Sequence, residues 1–410
     1  MKEPKIRFKG FQGEWEETTL ANVGKCFSGI GFPETEQGRK KGIPFYKVSD
    51  MNNIGNEKVL SNSNNYVTEE QVNKNGWKVC NDVPAIYFAK VGAAVLLNRK
   101  RLVLKPCLCD NNTMLYSFDK KVWDTYFCQS YFETIDLASL VQVGSLPSYN
   151  ASMVGEVNVS LPDIDEQKAL GAYFQHLDSL IQSTTKKIES LKQVKGASLQ
   201  SMFPQEGETT PRMRFKGFEG EWEKKTLGDC LTINNERNQS NVYGINDVLS
   251  VSDEVGVVNQ IKLLGRSYAG KSVVNYRVLK TNQIVYTKSP LKSKPYGIIK
   301  VNKGDIGIVS VLYAVYDANE NVYPDYIHYY FEPIHRINNY LLPLINKGAK
   351  NTMNISDEMA LTGYIWIPSL EEQNTIANYL KALDRQITLH TQRLEKLKQI
   401  KAACLDKMFV

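Results

Sequence analysis

Cysteine and histidine are scarce. Seven cysteines and four histidines in 410 residues leave little material for a disulfide scaffold or a metal cluster. The cysteines are odd in number and scattered, which argues against a framework of bridges. Cys107 and Cys109 have no second pair, and His176, His328, His335 and His390 are dispersed, so the ligand spacing of a zinc site is missing. No two prolines adjoin, which removes the [DN]-P-P-[FYW] loop that an adenine methyltransferase needs. There is no G-x-S-x-G elbow to support a serine hydrolase. No apolar stretch approaches the ~18–20 residues of a membrane span. The opening, Met1 to Phe11, has no apolar core of a signal peptide. A cytoplasmic chain without membrane attachment is expected. Net charge is +6, which permits a nucleic-acid partner without demanding one. With 42% hydrophobic and 23% charged residues, the composition is that of a globular protein of two or three domains.

What the chain does have is repetition. Arg7-Phe8-Lys9-Gly10-Phe11, Gly13-Glu14-Trp15-Glu16 and Thr19-Leu20 return as Arg214-Phe215-Lys216-Gly217-Phe218, Gly220-Glu221-Trp222-Glu223 and Thr226-Leu227. A second block repeats too: residues 161–203 and 367–409 are identical at 17 of 43 positions, far above chance. The stretches between, roughly 25–150 and 232–355, share little beyond pattern. A short opening word, a divergent region and a repeated block thus occur twice.

The repeated block reads as a long helix. Pro162 and Pro368 precede it, and Asp163, Asp165, Glu166, Glu371 and Glu372 suit the positive end of the helix dipole. Leu177, Ile181, Thr184, Ile188, Leu191, Lys195, Ser198 and Met202 fall in steps of four and three, a heptad seam. Leu383, Ile387, Leu394, Leu397 and Met408 form its counterpart, with His390, Lys401 and Cys404 filling the rhythm. Such a helix, from Gln167 to Met202, would run ~54 Å at 1.5 Å per residue. Two of them make an intramolecular coiled coil the simple way to cover both seams. Lys186, Lys187, Lys192 and Lys195, with Arg385, Arg393, Lys396, Lys398 and Lys401, give basic outer faces. The divergent regions read mainly as β, with strand-like runs at residues 85–88, 94–97, 283–286 and 306–309 and helices over 122–140 and 324–345. The fold class expected is α+β: two similar domains separated by two long helices in an antiparallel, pseudo-twofold coiled coil. The boundaries are 1–155 and 214–360 for the domains, 156–203 and 361–410 for the helical spacers, and 204–213 for a linker.

One string suggests an enzyme. Gly265, Gly270, Lys271 and Ser272 match G-x-x-x-x-G-K-[ST], and a strand-like run to Asp317 imitates the carrier of a magnesium ligand. A phosphate loop must open a helix. Here Val273, Val274 and Tyr276 follow instead, and the first half has no such loop. A P-loop nucleotide-binding enzyme is therefore the alternative reading. Glu223-Lys224-Lys225 and Asp119-Lys120-Lys121 fit the loose nuclease pattern D/E-x-K, which recurs by chance in a lysine-rich chain.

The word R-F-x-G-F-x-G-x-W, and P-x-[IL]-[DE]-E-Q before a long helix ending in Met-Phe, resemble the DNA-specificity subunit of type I restriction–modification systems. Tyr276 to Lys288 resembles a recurring stretch of that family, and the Gly270-Lys271 pair commonly leads into it. The resemblance covers essentially the whole chain. It implies a non-catalytic protein with two target-recognition domains, each reading half of a bipartite, asymmetric site in double-stranded DNA. It implies two modification subunits that carry S-adenosylmethionine, and restriction motor-nuclease subunits that use ATP and magnesium. No cofactor and no metal are expected in this chain. Base and phosphate contacts call for Arg, Lys, Asn, Gln, Ser and Tyr on loops. Candidates in the first domain are Tyr46, Lys47, Lys90, Asn98, Arg99, Lys100, Arg101, Ser145, Ser148, Tyr149 and Asn150. In the second they are Lys271, Lys288, Lys292, Lys294, Tyr296, Lys347, Lys350, Asn351 and Asn354.

Overall fold

The computed structural model describes residues 3–141, 146–270, 272–291, 294–347 and 353–410. The chain divides into two compact units, Met1–Thr185 with Thr391–Val410, and Lys186–His390. The fold is α+β. Each unit takes one divergent region together with half of each long helix.

In the first unit an antiparallel sheet runs in the order Gly24–Ser28, Thr113–Phe118, Ala85–Ala89, Lys100–Val103. Every residue of Ala85–Ala89 and Thr113–Phe118 is buried. A strand covered on both faces reads as a continuous apolar run rather than an alternation. The helix Thr125–Thr134 packs Phe127, Tyr131 and Phe132 into the same core. The second unit has the same strand order in Leu231–Ile233, Tyr313–Ala318, Ile284–Thr287, Ile299–Val301.

The long helices are Ile164–Ser201 and Leu370–Met408, each starting within two residues of its proline. Asp163 Oδ1 accepts from the amides of Asp165 and Glu166, so the first begins right after its proline. Within the first unit Tyr173 meets Cys404 and Asp178 meets Lys401, so the two segments run antiparallel. Within the second, Lys195 meets Asp384 and Ser198 meets Tyr379, again antiparallel. Leu177, Ile188, Met202 and Met408 are buried, while Ile181, Leu191, Leu383, Ile387, Leu394 and Leu397 are half-buried.

Three expected elements differ. Residues 94–97 form a 3-10 turn, Ala93–Leu97, rather than a strand. Gly92 at φ +85° and Asn98 at φ +49° turn the chain at both ends, and Leu96 and Leu97 stay exposed. The helix over 122–140 is shortened to Thr125–Thr134. Asp124 caps it by accepting from the amides of Tyr126 and Phe127, and Asp136 starts a new turn, Leu137–Leu140. The helix over 324–345 is split into Pro324–Tyr330 and Ile334–Leu341, because Pro333 has no amide proton to continue the ladder.

Candidate nucleic-acid interface and its supporting joints

The repeated words meet one another in space, once in each unit. In the first, Arg7 forks onto Glu166 at 2.8 and 2.7 Å and also donates to the carbonyls of Gln12 and Gly13. In the second, Arg214 forks onto Glu372 at 2.7 Å twice and donates to the carbonyls of Glu219 and Gly220. A planar guanidinium facing a carboxylate in two parallel bonds fixes orientation as well as distance. The neighbouring glutamine does the rest. Gln167 donates to the carbonyls of Val122 and Pro162 and accepts from the amide of Asp124; Gln373 donates to those of Asn321 and Pro368 and accepts from the amide of Tyr323. The E-Q word is therefore a clasp holding the opening word and the divergent domain onto the start of a long helix. The Met-Phe word closes the same joint. Phe409 packs edge-on to Trp15 and against Phe127 and Phe174; Phe203 packs edge-on to Trp222 and against Tyr326.

A charged node locks each joint. Lys401 Nζ donates to Glu133 and Asp178, both at 2.7 Å, and Lys58 Nζ donates to Glu133 at 2.5 Å. In the second unit Lys195 Nζ donates to Glu332 and Asp384, both at 2.6 Å, and Tyr329 donates to the other oxygen of Asp384. Burial pushes the Glu133 carboxyl up, but Lys58 and Lys401 outweigh it and hold it below the usual carboxylate range. Lys195 and Lys401, expected on the basic outer faces, lie inside these nodes instead. Their heptad positions turn them toward the domain rather than toward water.

On the first unit the Arg99–Arg101 run lies against an asparagine-rich loop. Arg99 Nη1 donates to Asn52 Oδ1 at 2.7 Å, and Arg101 donates to the carbonyls of Asn56 and Met51. Lys100 turns inward, donating to Asn98 Oδ1 and the Ile135 carbonyl. Asn98 Nδ2 donates to that same carbonyl. Lys47 donates to Gln37 from a half-buried position. Lys90, Ser148 and Tyr149 are brought together, since Val91 pairs with Ser148 and the Tyr149 amide donates to the Lys90 carbonyl. Tyr46 and Tyr149 are buried, their hydroxyls donating to the carbonyls of Leu60 and Ala89. Asn150 is exposed and caps the helix Ala151–Gly155. Ser145 lies outside the described residues.

On the second unit Lys288 and Arg277 share Asp357. Burial pushes that carboxyl up, but the hydrogen bonds from Lys288 and Arg277 prevail and hold it below the ordinary value. Lys294 is buried, donating to Asp253 and the Glu332 carbonyl. Tyr296 is half-buried and accepts from the Tyr286 hydroxyl through its carbonyl. Lys347 and Asn354 belong to paired two-residue strands, Asn346–Lys347 and Met353–Asn354. Lys271, Lys292, Lys350 and Asn351 lie outside the described residues.

The asparagine loop escaped the sequence reading. Its signal was compositional: Asn52, Asn53, Asn56, Asn62, Asn64 and Asn65 within fourteen residues. The nucleotide-binding string does not open a helix. Gly265 instead closes the short helix Gln260–Leu264 at φ +77°, and Ser272 leads through a turn into the strand Arg277–Leu279. Asp317 accepts from Asn234 and Gln283. Among the described residues no cluster of His, Cys, Asp and Glu could hold a metal ion, and no helix is long and apolar enough to cross a membrane.

The sequence profile of the type I restriction modification DNA specificity domain matches twice, over residues 12–193 and 219–399. A type I restriction enzyme specificity subunit of Methanocaldococcus jannaschii is 24% identical over 275 residues, covering 63% of this chain. The match spans 60% of that protein's length. The crystal structure of a type I restriction-modification system S subunit from M. genitalium superposes with a TM-score of 0.62 at 12% identity, covering 100% of this chain and 99% of that one. At that identity the likeness is one of fold.

Proposed function

The chain belongs to the type I restriction modification DNA specificity domain family, the non-catalytic specificity subunits of such systems, and from that premise we propose how it divides the work. The target-recognition domains, residues 1–155 and 214–360, each read one half of a bipartite, asymmetric site in double-stranded DNA. The helical spacers, 156–203 and 361–410, hold the two readings at a fixed separation and dock two adenine-methylating modification subunits. Restriction subunits complete the complex in the cytoplasm. S-adenosylmethionine, ATP and magnesium belong to those partners. The observation that carries this reading is the twice-built joint: the family's repeated words hold two divergent domains in the same way. Divergence on a constant mount is what changing specificity with unchanged assembly requires.

Arg99, Arg101, Lys47, Lys90 and Asn150 in the first domain, with Lys288, Lys347 and Asn354 in the second, are the candidates for phosphate and base contacts. Side chains of these types fix register on the phosphates and donate to base edges. The test is to map methylated adenines in cells carrying the system, with the native chain and with residues 25–150 exchanged for those of a relative. One half of the methylated site is expected to change and the other to stay. A site that changes in both halves overturns the division of labour.

A further inference from the structure

We propose that Ile54 is a sequence-reading residue of the first domain, packing against the 5-methyl group of a thymine in the major groove; this rests on the DNA-reading function above. Ile54 is 91% exposed, more than any other large apolar side chain among the described residues. One exposed aliphatic side chain is ordinary on a protein surface, so exposure alone decides nothing. The construction beneath it does.

The amide of Asn56 donates to the carbonyl of Asn53, closing a four-residue turn with Ile54 at its second position. Gly55 follows at φ +89°, the conformation that the third position of a type II turn reserves for glycine. Asp50, fully buried, anchors this turn from below. Its carboxylate accepts from the amides of Lys47 and Asn64, both at 2.7 Å, and from Asn53 Nδ2. Asn56 is also fully buried. Its Nδ2 donates to the carbonyls of Asp50 and Asn62, and its Oδ1 accepts from the amides of Ser61 and Asn62. Burying a carboxylate and an amide is costly unless hydrogen bonds replace the lost water, and here they do. Met51 and Leu60 of the same loop anchor it in the core, and the polar scaffold between them holds rigid a turn whose apex is an isoleucine.

The neighbours identify the occupant. Arg99 is hydrogen-bonded to Asn52, two residues before Ile54, and Arg101 holds the base of the loop through the Asn56 carbonyl. Ile54 stands on a turn built from amides and held by a guanidinium, a setting that suits a partner whose polar edge carries a small apolar group. It matches the major-groove edge of an A·T pair, where thymine sets a methyl group beside hydrogen-bonding atoms. A stiff display loses little entropy on contact, so the methyl is discriminated at small cost.

The test uses the full chain assembled with its modification subunits and a duplex bearing the methylated site. Each thymine of the first half-site is replaced in turn by deoxyuridine, which removes only the methyl group. One replacement is expected to weaken binding by about fivefold. Ile54→Ala is expected to lose about the same factor on the thymine duplex and to bind the thymine and deoxyuridine duplexes alike, with discrimination in the second half-site unchanged. The assignment of Ile54 is overturned if no replacement affects the native chain, if the deoxyuridine effect persists in Ile54→Ala, or if Ile54→Ala weakens every duplex equally. A native complex that binds all sequences alike overturns the DNA-specificity reading as well.

Discussion

Lys100 sits one residue from the arginine that faces the asparagine loop, yet its ammonium turns into the domain. It donates to Asn98 Oδ1 at 2.7 Å and to the Ile135 carbonyl at 2.5 Å. Burial is the main cause of its pKa falling to about 8. The sign of the stability effect follows. Between pH 8 and the unfolded value near 10.5, the unfolded chain keeps a proton that the folded chain has released. Stability therefore rises with pH over that window. Denaturant titrations of the native chain and of Lys100→Met at pH 7.5 and 10.5 are expected to show the difference moving in favour of the native chain by about 3 kcal/mol at most. Tyr46 and Tyr149 carry the same lesson. Tyrosine suits base reading and suits a core equally, and nothing in the local sequence says which. In both, the hydroxyl donates to a buried carbonyl.

The elements that join domain to helix depend on pairs far apart in the chain. Glu133 accepts from Lys58 and from Lys401, and both lysines also lie within ion-pair distance of Asp178. Glu133→Gln leaves two partly buried lysines to share Asp178. Removing one partner of this partly exposed charge set costs about 1–3 kcal/mol, because Asp178 alone then offsets two ammonium groups. The loss is expected to fall on the first unit. Hydrogen exchange read by mass spectrometry is expected to show faster exchange in Thr125–Thr134 and no change in Pro324–Tyr330. Equal loosening of both helices would show that the node does not act locally. The heptad rhythm was legible here, because helical periodicity is written in neighbouring residues. The nodes were not. Lys195 and Lys401 look like surface lysines until the acids of the divergent region arrive beside them.

On the scale of the whole molecule, the chain's end closes its beginning. Ile6 donates its amide to the Lys407 carbonyl, and Phe409 enters the core around Trp15. Met213 likewise donates to the Ser201 carbonyl, and Phe203 packs against Trp222. The equivalence predicts that residues 1–204 alone pair with a second copy. Lys195 would replace Lys401 against Glu133 and Asp178, and Met202-Phe203 would replace Met408-Phe409. A dimer of this fragment, with modification subunits present, is expected to direct methylation to a palindrome of the first half-site. Light scattering and methylation mapping check both parts; a stable monomer would refute the exchange. Duplication, the two long helices and the family were determined by the sequence alone, because repeated words and a seven-residue rhythm survive without coordinates. The division into units that each borrow half of both helices was decided only in three dimensions, as was the commitment of Tyr46, Lys100, Tyr149 and Lys294 to interior partners. The physical reason is common to all of them. A side chain's role is set by what lies within a few ångströms, and in these joints that neighbour stands as far away in sequence as Lys401 does from Glu133.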